Sequence, residues 1–260
     1  MSLLKVEDLG ISFGGLRAVD GVSFEARPKE IFTIIGPNGA GKTTLFNMVS
    51  GVYLPSGGRV VLNGEDVTAM EPHLLSRRGM SRTYQNLQVF FRLTAAENVM
   101  VGRHRHENAN VIAHLFTLPV VTRQNRATRA IALDLLARLG LEKYADTPAG
   151  SMPYGALKRL EIARALATEP TFLLLDEPAA GCNPVETDEV EAAIHRIAHD
   201  GVGVVLVEHD MKLVMKISDR ILVLDQGRML AEGLPQEIRH NEAVMRAYLG
   251  EHGAREAARA

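Results

Sequence analysis

The sequence predicts an α/β fold with a mostly parallel central sheet, an N-terminal antiparallel β-subdomain and an inserted α-helical subdomain. Three observations support this class. Apolar runs at 31–35, 171–175 and 202–207 show no alternation with polar residues, which is typical of strands buried on both faces of a parallel sheet. The first thirty residues alternate between apolar and polar, as antiparallel strands with one solvent-exposed face do. From Leu87 to Ala167 the apolar spacing becomes helical.

The N-terminal third is expected to be rich in β-structure. Its alternation predicts short antiparallel strands around Leu4–Val6, Ile11–Phe13 and Val22–Phe24. Ile31–Ile35 follows as a buried strand. After a Pro-Ser-Gly-Gly turn, Arg59–Leu62 is a predicted strand that leads into an Asn-Gly hairpin turn.

The rest of the chain alternates between helix and strand. Ile131, Leu135, Leu136 and Leu139 share one helix face, and Gly140 ends that helix. The segment 186–199 is a predicted helix between two apolar strands, and 221–231 is a predicted closing hairpin. The residues 254–260 are expected to form a frayed helix. We therefore predict a single domain, whose parts are a β-subdomain and core (1–86 and 168–235), a helical subdomain (87–167) and a C-terminal helical tail (236–260).

A glycine-rich loop follows the strand Ile31–Ile35 and matches the pattern G-x-x-x-x-G-K-[ST]. Its backbone N–H groups and the helix that begins near its end suit a bound phosphate. Lys42 can reach the β- and γ-phosphates, and the Thr43 hydroxyl can bind Mg²⁺. A plain glycine turn is the alternative, but the flanking strand and helix disfavour it. The residues predicted to bind a nucleoside triphosphate here are Gly36, Pro37, Asn38, Gly39, Ala40, Gly41, Lys42, Thr43 and Thr44.

Two acidic residues end the apolar strand that begins near Thr171. Asp176 is placed to hold Mg²⁺ through its water shell. Glu177, directly after it, can orient or deprotonate an attacking water. Two acids that merely cap a strand before Pro178 are the alternative, which becomes weak beside a phosphate-binding loop. Together the two motifs predict a P-loop NTPase core that hydrolyses its nucleotide.

Composition narrows the class of protein. The 260 residues are 46% apolar and 23% charged, and the net charge of −2 argues against a nucleic-acid-binding surface over the whole molecule. Cys182 is the single cysteine, so an internal disulfide is excluded.

No apolar run approaches the ~20 residues of a membrane span, and the N-terminus has no signal-peptide pattern. Ten arginines between Arg77 and Arg138 form either a solvated surface or one that faces a permease or anionic lipid.

Further motifs lie in order along the chain. Arg82-Thr83-Tyr84-Gln85-Asn86 precedes the helical region, Tyr154-Gly155 precedes the segment 159–165, and His209 follows the strand 202–207. With the phosphate loop and Asp176-Glu177, these motifs resemble the ATP-binding subunit of ABC transporters along almost the full length. The resemblance is closest to the subunits that serve branched-chain amino acid uptake, on the basis of Tyr84-Gln85-Asn86, the segment 179–184 and the segment 208–212.

The resemblance implies an ATPase with ATP and Mg²⁺ as its ligands. It gives Gln85 contact with Mg²⁺ or the attacking water, and His209 contact with the γ-phosphate while Glu177 and the water are held in line. Lys42 completes the catalytic set, and Thr43, Gln85 and Asp176 form the metal set. Phe13 occupies the place of an aromatic that stacks on adenine, although its alternation with Ile11 is equally compatible with a core position.

The signature segment departs from the usual Leu-Ser-Gly-Gly-Gln of these proteins. Here it is Met152-Pro153-Tyr154-Gly155-Ala156, so a serine hydroxyl and a glutamine are missing. The Gly155 N–H and the helix that follows, expected over 157–167, are then the groups left to bind phosphate. We expect slower hydrolysis, with Tyr154 and Gly155 facing the nucleotide of a second copy in a head-to-tail dimer.

Partners and location also follow from the resemblance. It implies a homodimer or a pair with a paralogous ATPase, transmembrane permease subunits, a periplasmic solute-binding protein, and a peripheral position on the cytoplasmic face of the inner membrane. The ATPase of a lipid or lipopolysaccharide exporter and a non-transport soluble ABC ATPase remain alternatives. A nucleotide kinase or GTPase is disfavoured by Asp176-Glu177 and the downstream His209. The cargo is selected by other subunits.

Overall fold

The computed structural model describes residues 3–104 and 119–248, which contain two β-sheets. The smaller sheet is antiparallel, with the strand order β2-β1-β4-β5. Its strands are β1 (Leu4–Phe13), β2 (Leu16–Ala26), β4 (Gly57–Leu62) and β5 (Glu65–Asp66). The predicted N-terminal antiparallel β-structure is therefore present.

The larger sheet has six strands in the order β10-β9-β3-β8-β7-β6. All neighbours are parallel except β10, which pairs antiparallel with β9. The mostly parallel α/β core is thus confirmed. The strands are β3 (Ile31–Ile35), β6 (Met80–Arg82), β7 (Phe172–Asp176), β8 (Gly203–Val207), β9 (Arg220–Asp225) and β10 (Arg228–Gly233).

Eight named helices accompany the sheets within the described ranges. Three of them, α3 to α5, pack against one another as the helical insert. The helices are α1 (Lys42–Val49), α2 (Pro72–Arg77), α3 (Ala95–Gly102), α4 (Pro119–Arg138), α5 (Tyr154–Leu166), α6 (Pro184–His199), α7 (Met211–Ile217) and α8 (Pro235–Arg239). A further helical stretch covers 242–248, while the expected tail helix at 254–260 lies outside the described residues.

The register of the central strands sets the position of the site. Val207 at the end of β8 is paired with Ile34 of β3 on one side and with Asp176 of β7 on the other. Because parallel strands share a direction, their carboxyl ends meet at one edge of the sheet, where ligands of open α/β sheets bind. The loops after β3, β7 and β8 therefore lie side by side.

Three details differ from the sequence-based expectation. Strands β1 and β2 are long, at 10 and 11 residues, where short strands were predicted. Helix α5 begins at Tyr154 and not at Leu157, because Pro153 is compatible with a helix entry. Strand β6 and helix α2 were not anticipated, since each has only a few residues. The subdomain boundaries at 86, 167 and 235 stay predictions.

Candidate functional site

The glycine-rich loop leaves β3 and enters α1 at Lys42. Gly41, at the N-cap, has φ 97°, a left-handed conformation that favours glycine. A Cβ there would lie 2.7 Å from the Ala18 carbonyl oxygen, so the close approach of β2 also requires glycine. Asn38, Gly39 and Thr43 are exposed, so this face of the loop is open to a ligand.

Lys42 lies over the loop that precedes it. Its Nζ donates hydrogen bonds to the carbonyl oxygens of Gly36, at 2.7 Å, and Pro37, at 3.0 Å. Burial lowers the pKa of the Lys42 ammonium from its usual 10.5, and the negative charge of Glu177 opposes this shift. The Glu177 carboxylate after β7 therefore acts electrostatically on the lysine of the phosphate loop.

Glu177 is the centre of a polar cluster at the end of β7. Its Oε2 accepts a hydrogen bond from Gln85 Nε2 at 3.0 Å, and its Oε1 lies 3.5 Å from His209 Nδ1. Glu177 itself has φ 48°, a strained conformation for a residue with a side chain. Its N–H is tied to the Val207 carbonyl oxygen at 2.9 Å. Three predicted catalytic residues from distant parts of the chain are thus brought together.

Asp176 is paired with a residue that the motifs did not single out for a role. Its Oδ2 accepts a hydrogen bond from Arg82 Nη2 at 2.8 Å, and both side chains are buried. Arg82 Nη1 also donates to Asn47 Oδ1, at 2.7 Å, and Ser50 Oγ, at 2.6 Å. The arginine therefore joins the end of α1, directly behind the phosphate loop, to the carboxylate predicted to hold Mg²⁺. Arg82 could have been noticed as a charged residue three positions before Gln85, but nothing in the sequence indicates its partner.

The guanidinium of Arg82 is also flanked by aromatic rings. It lies 5.0 Å from the Phe46 centroid and 5.2 Å from the Tyr84 centroid. The face of an aromatic ring attracts a cation, so these two rings favour the positive charge of Arg82. Since Tyr84 directly precedes Gln85, the same arginine also contacts the loop that carries a predicted catalytic residue.

Glu208 is a second positioning group that the sequence did not reveal. Its side chain is buried, and its carboxylate accepts hydrogen bonds from the backbone N–H groups of Ala179, His209 and Asp210. Burial raises the pKa of Glu208, and these backbone hydrogen bonds oppose the rise. Glu208 therefore fixes the segment that presents His209 to Glu177.

Phe13 lies at the end of β1 and is 47% exposed. Its ring meets the Tyr53 ring edge-on, with centroids 5.6 Å apart. Such exposure excludes the alternative that Phe13 is simply a core residue. Stacking of Phe13 on adenine stays a prediction.

The signature segment forms the start of α5. Pro153 occupies the N-cap without a side-chain hydrogen bond, as expected of a residue without a hydroxyl. Tyr154 is 42% exposed, whereas the Gly155 N–H donates to Glu186 Oε1 at 3.0 Å. A carboxylate of the same chain thus engages the Gly155 N–H in the single chain, and binding of phosphate by this N–H stays a prediction.

Helix α5 also holds the loop that carries Gln85. Lys158 Nζ donates to the Gln85 carbonyl oxygen at 3.2 Å. Glu161 Oε1 accepts from the Gln88 N–H at 3.2 Å. Both side chains are buried, so the helix that carries the signature residues is tied to the loop that carries the predicted catalytic glutamine.

The donor set at this edge of the sheet suits a hard cation. Thr43, Gln85 and Asp176 offer hydroxyl, amide and carboxylate oxygens, the ligands that Mg²⁺ takes beside phosphate. In the described ranges no three His, Cys, Asp or Glu residues form a metal-binding group. Over the same ranges no helix has the length and apolarity to span a bilayer.

The fold and this arrangement define a P-loop nucleotide-binding ATPase with a helical insert. Family comparison makes the class specific. The ABC transporter family matches residues 19–180, and a family described as branched-chain amino acid ATP-binding cassette transporter matches residues 228–254. The chain belongs to the ABC transporter family, as an ATP-binding ATPase subunit.

Curated relatives cover nearly the whole chain. The high-affinity branched-chain amino acid transport ATP-binding protein BraF of Pseudomonas aeruginosa is 47% identical over 96% of this chain and 98% of its own length. LivG of Escherichia coli, with the same description, is 44% identical over the same shares. The lipopolysaccharide export system ATP-binding protein LptB of E. coli is 33% identical, again over 96% and 98%.

A solved structure gives the same assignment. The ADP conformation of MJ1267, an ATP-binding cassette of an ABC transporter, superposes with a TM-score of 0.83 at 30% identity, over 96% of this chain and 100% of that one. The predicted family resemblance is confirmed.

Proposed function

We propose that this chain is the ATP-hydrolysing subunit of an ABC importer of branched-chain amino acids. The cluster of Gln85, Glu177 and His209 beside the phosphate loop carries the catalytic part of the proposal. The cargo rests on the relatives, because those at 44–47% identity are described as branched-chain amino acid transporters, and the exporter relative is 33% identical.

In the proposed mechanism, Glu177 accepts the proton of the attacking water. Gln85 contacts one Glu177 oxygen and His209 the other, which restricts the direction in which that carboxylate faces. Lys42 and the N-terminus of α1 neutralise the charge on the phosphates. When bound, ATP supplies the γ-phosphoryl group and Mg²⁺ neutralises the charge that develops on it.

Thr43, Gln85 and Asp176 are the residues that would hold Mg²⁺. The Gln85 amide nitrogen is engaged by Glu177, so we assign its oxygen to the metal side. Arg82 engages Oδ2 of Asp176, and we propose that Oδ1 would face the water shell of the metal. This division of donors would give each of these two side chains one positioning contact and one metal-facing oxygen.

The nucleotide site is proposed to be shared between two copies arranged head to tail. Tyr154 and Gly155 contact Gly181 and Glu186 of their own chain. We propose that this segment covers the phosphate loop of a partner, which is either a second copy or a paralogous ATPase. ATP then favours the closed dimer, and hydrolysis reopens it.

A groove of about 400 Å³ beside the Gln85 loop is the proposed docking place of a permease segment. Tyr84, Phe90 and Val101 give it exposed apolar surface, while Glu161 and Arg164 give it charge. Arg164 lies 5.6 Å from the Phe90 centroid. Because Tyr84 and Arg82 line the groove and also contact the site, an occupant of the groove can influence hydrolysis.

These partners imply the remaining parts of the proposal. Permease subunits would hold this chain at the cytoplasmic face of the inner membrane, and a periplasmic solute-binding protein would deliver the amino acid. The net charge of −2 does not favour a nucleic-acid partner.

The catalytic part is tested with Glu177→Gln. We expect ATP binding to be kept and turnover to be abolished, because an amide cannot accept the proton of the attacking water. Asp188→Asn, an exposed change on α6, is the matched control and should hydrolyse ATP at the parental rate. Parental turnover by Glu177→Gln would refute the assignment of Glu177 as the base.

The transport part is tested by affinity purification from the native membrane. Permease subunits should co-purify, and the complex in vesicles should accumulate leucine, isoleucine or valine only with ATP and a solute-binding protein. Accumulation of lipid-linked substrate in their place would favour the exporter alternative.

A further inference from the structure

Glu186 holds two backbone groups at once. It is the third residue of α6, and its N–H donates to Asn183 Oδ1 while its Oε2 accepts from the Asn183 N–H, both at 3.0 Å. Its Oε1 accepts from the Gly155 N–H, also at 3.0 Å. One carboxylate thus caps its own helix and the start of α5.

The sequence explains why α5 needs an acceptor from another element. The first N–H groups of a helix have no intrahelical partner, and Pro153 at the N-cap has no side-chain oxygen to offer. Gly155 permits the approach, since a Cβ there would lie 2.5 Å from Glu186 Cγ. Hydrogen bonds from the Asn183 and Gly155 backbone lower the pKa of Glu186, so the cap is an anion at neutral pH.

We infer that Glu186 is a positioning residue of the shared nucleotide site, whose carboxylate occupies the Gly155 N–H and must release it before the γ-phosphate held by a partner copy can bind there. The inference rests on the proposed head-to-tail dimer. Two anions repel each other at one donor, so the contact opposes closure of the dimer until ATP displaces it.

The release is confined to this contact. Arg159 Nη2 pairs with Glu189 Oε2 at 2.7 Å, and Arg159 Nη1 donates to the Leu139 carbonyl oxygen at 2.9 Å. The Arg159–Glu189 pair joins α5 and α6 about one helical turn beyond the Glu186 contact. The two helices therefore stay in contact when Glu186 releases the Gly155 N–H. After release, Glu186 keeps its bond with Asn183, and only the Gly155 N–H changes partner.

The first test measures the contact in the protein without nucleotide. In Glu186→Ala, amide hydrogen exchange at Gly155 should be at least about tenfold faster than in the parent, because a protecting acceptor is lost. Glu189→Gln, which removes the charge of the neighbouring pair, should leave that rate within about twofold. An unchanged Gly155 rate in Glu186→Ala overturns the inference.

The second test measures dimerisation in the Glu177→Gln background, with ATP, by analytical ultracentrifugation. Glu186→Gln preserves a helix cap, since glutamine also serves at this position, but removes the charge. Its dimer dissociation constant should fall about three- to tenfold, while Glu189→Gln should leave it unchanged. If the dissociation constant in Glu186→Gln is equal to or higher than in the Glu177→Gln parent, the inference about Glu186 is overturned. The proposed dimer is not affected by that result. Failure of Glu177→Gln itself to dimerise overturns the proposed dimer, and the inference with it.

Discussion

Buried charges position the reactive groups of this site. Arg82 and Glu208 lie outside the phosphate loop in sequence, yet each contacts one predicted catalytic or metal-binding residue. Arg82 holds Asp176, and Glu208 holds the backbone at His209. A buried charge without its partner is costly, so these contacts constrain the site strongly.

Replacement of Arg82 by methionine tests this constraint. It leaves the buried Asp176 carboxylate without its cation, and we expect the free energy of unfolding to fall by about 3 kcal/mol. Urea denaturation measures the change. Arg78→Met is the matched control, because Arg78 and its partner Glu65 are about half exposed and such pairs contribute under about 1 kcal/mol. Equal losses in the two variants would contradict the account.

The motifs located some residues of the site and missed others for a physical reason. Gln85, Glu177 and His209 stand in motifs with recognisable spacing, and the structure places them in contact. Arg82 and Glu186 act through partners 94 and 31 residues away. Such pairs follow from the packing of whole elements, which one sequence does not reveal.

At the scale of elements, α5 connects the two halves of the proposed cycle. Its N-terminus carries Tyr154 and Gly155, and its middle holds the Gln85 loop through Lys158 and Glu161. A rigid helix transmits displacement from one end to the other. Movement of the signature segment is therefore expected to move the Gln85 loop as well.

Pro153→Ser tests the entry of α5. Serine at the N-cap can accept from a first-turn N–H, which stabilises a helix by about 1 kcal/mol, and it restores a hydroxyl for the partner's γ-phosphate. We expect a higher thermal midpoint, with faster ATP hydrolysis or tighter ATP-driven dimerisation. Pro153→Ala, which offers no oxygen, is the control. If hydrolysis and dimerisation both stay at the parental level in Pro153→Ser, the hypothesis that the missing serine hydroxyl slows hydrolysis fails.

Glu161 gives α5 a pH-dependent contribution to stability. Burial raises its pKa in the folded protein above the usual 4.5, while hydrogen bonds and nearby cations oppose the rise. The folded state therefore binds the proton more tightly than the unfolded chain, and the cost of ionisation appears as pH rises through the raised pKa. Glu161→Gln should gain stability relative to the parent as pH rises from the usual 4.5 through the raised pKa of the folded protein.

Thermal unfolding, measured from below the lowered pKa of Glu97 to above the raised pKa of Glu161, gives the difference between variant and parent. Glu97→Gln is the control of opposite sign, because hydrogen bonds from Thr94 lower the pKa of Glu97. Its stability relative to the parent should decline as pH rises from the lowered folded pKa to the unfolded value. The same pH trend in both variants would contradict the burial of Glu161 as the cause.

The elements differed in how well the sequence predicted them. Continuous apolar runs gave β3, β7 and β8 to within about one residue, because full burial leaves a simple pattern. Strands β1 and β2 were underestimated, since register shifts interrupt their pairing between Val6 and Ser12, and Asp8 has φ 49°. Such bulges break the alternation from which strand length is inferred.

At the scale of the whole molecule, one copy contains two separate groups of residues that we propose belong to nucleotide sites. The carboxyl edge of the central sheet carries the phosphate loop, the carboxylates and His209, whereas the start of α5 carries the signature residues on the helical insert. The contacts of Tyr154 and Gly155 are with the segment 181–186 of their own chain. The central claim is that ATP joins the phosphate loop of one copy to α5 of another.

The most direct test is the mass in solution of the Glu177→Gln variant, measured by light scattering during gel filtration. With ATP and Mg²⁺ we predict twice the monomer mass, and with ADP the monomer mass, because ADP lacks the γ-phosphate that bridges the two copies. Lys42→Ala added to this variant should abolish the ATP-dependent dimer. A monomer at saturating ATP, or the same mass with ATP and ADP, would contradict the claim.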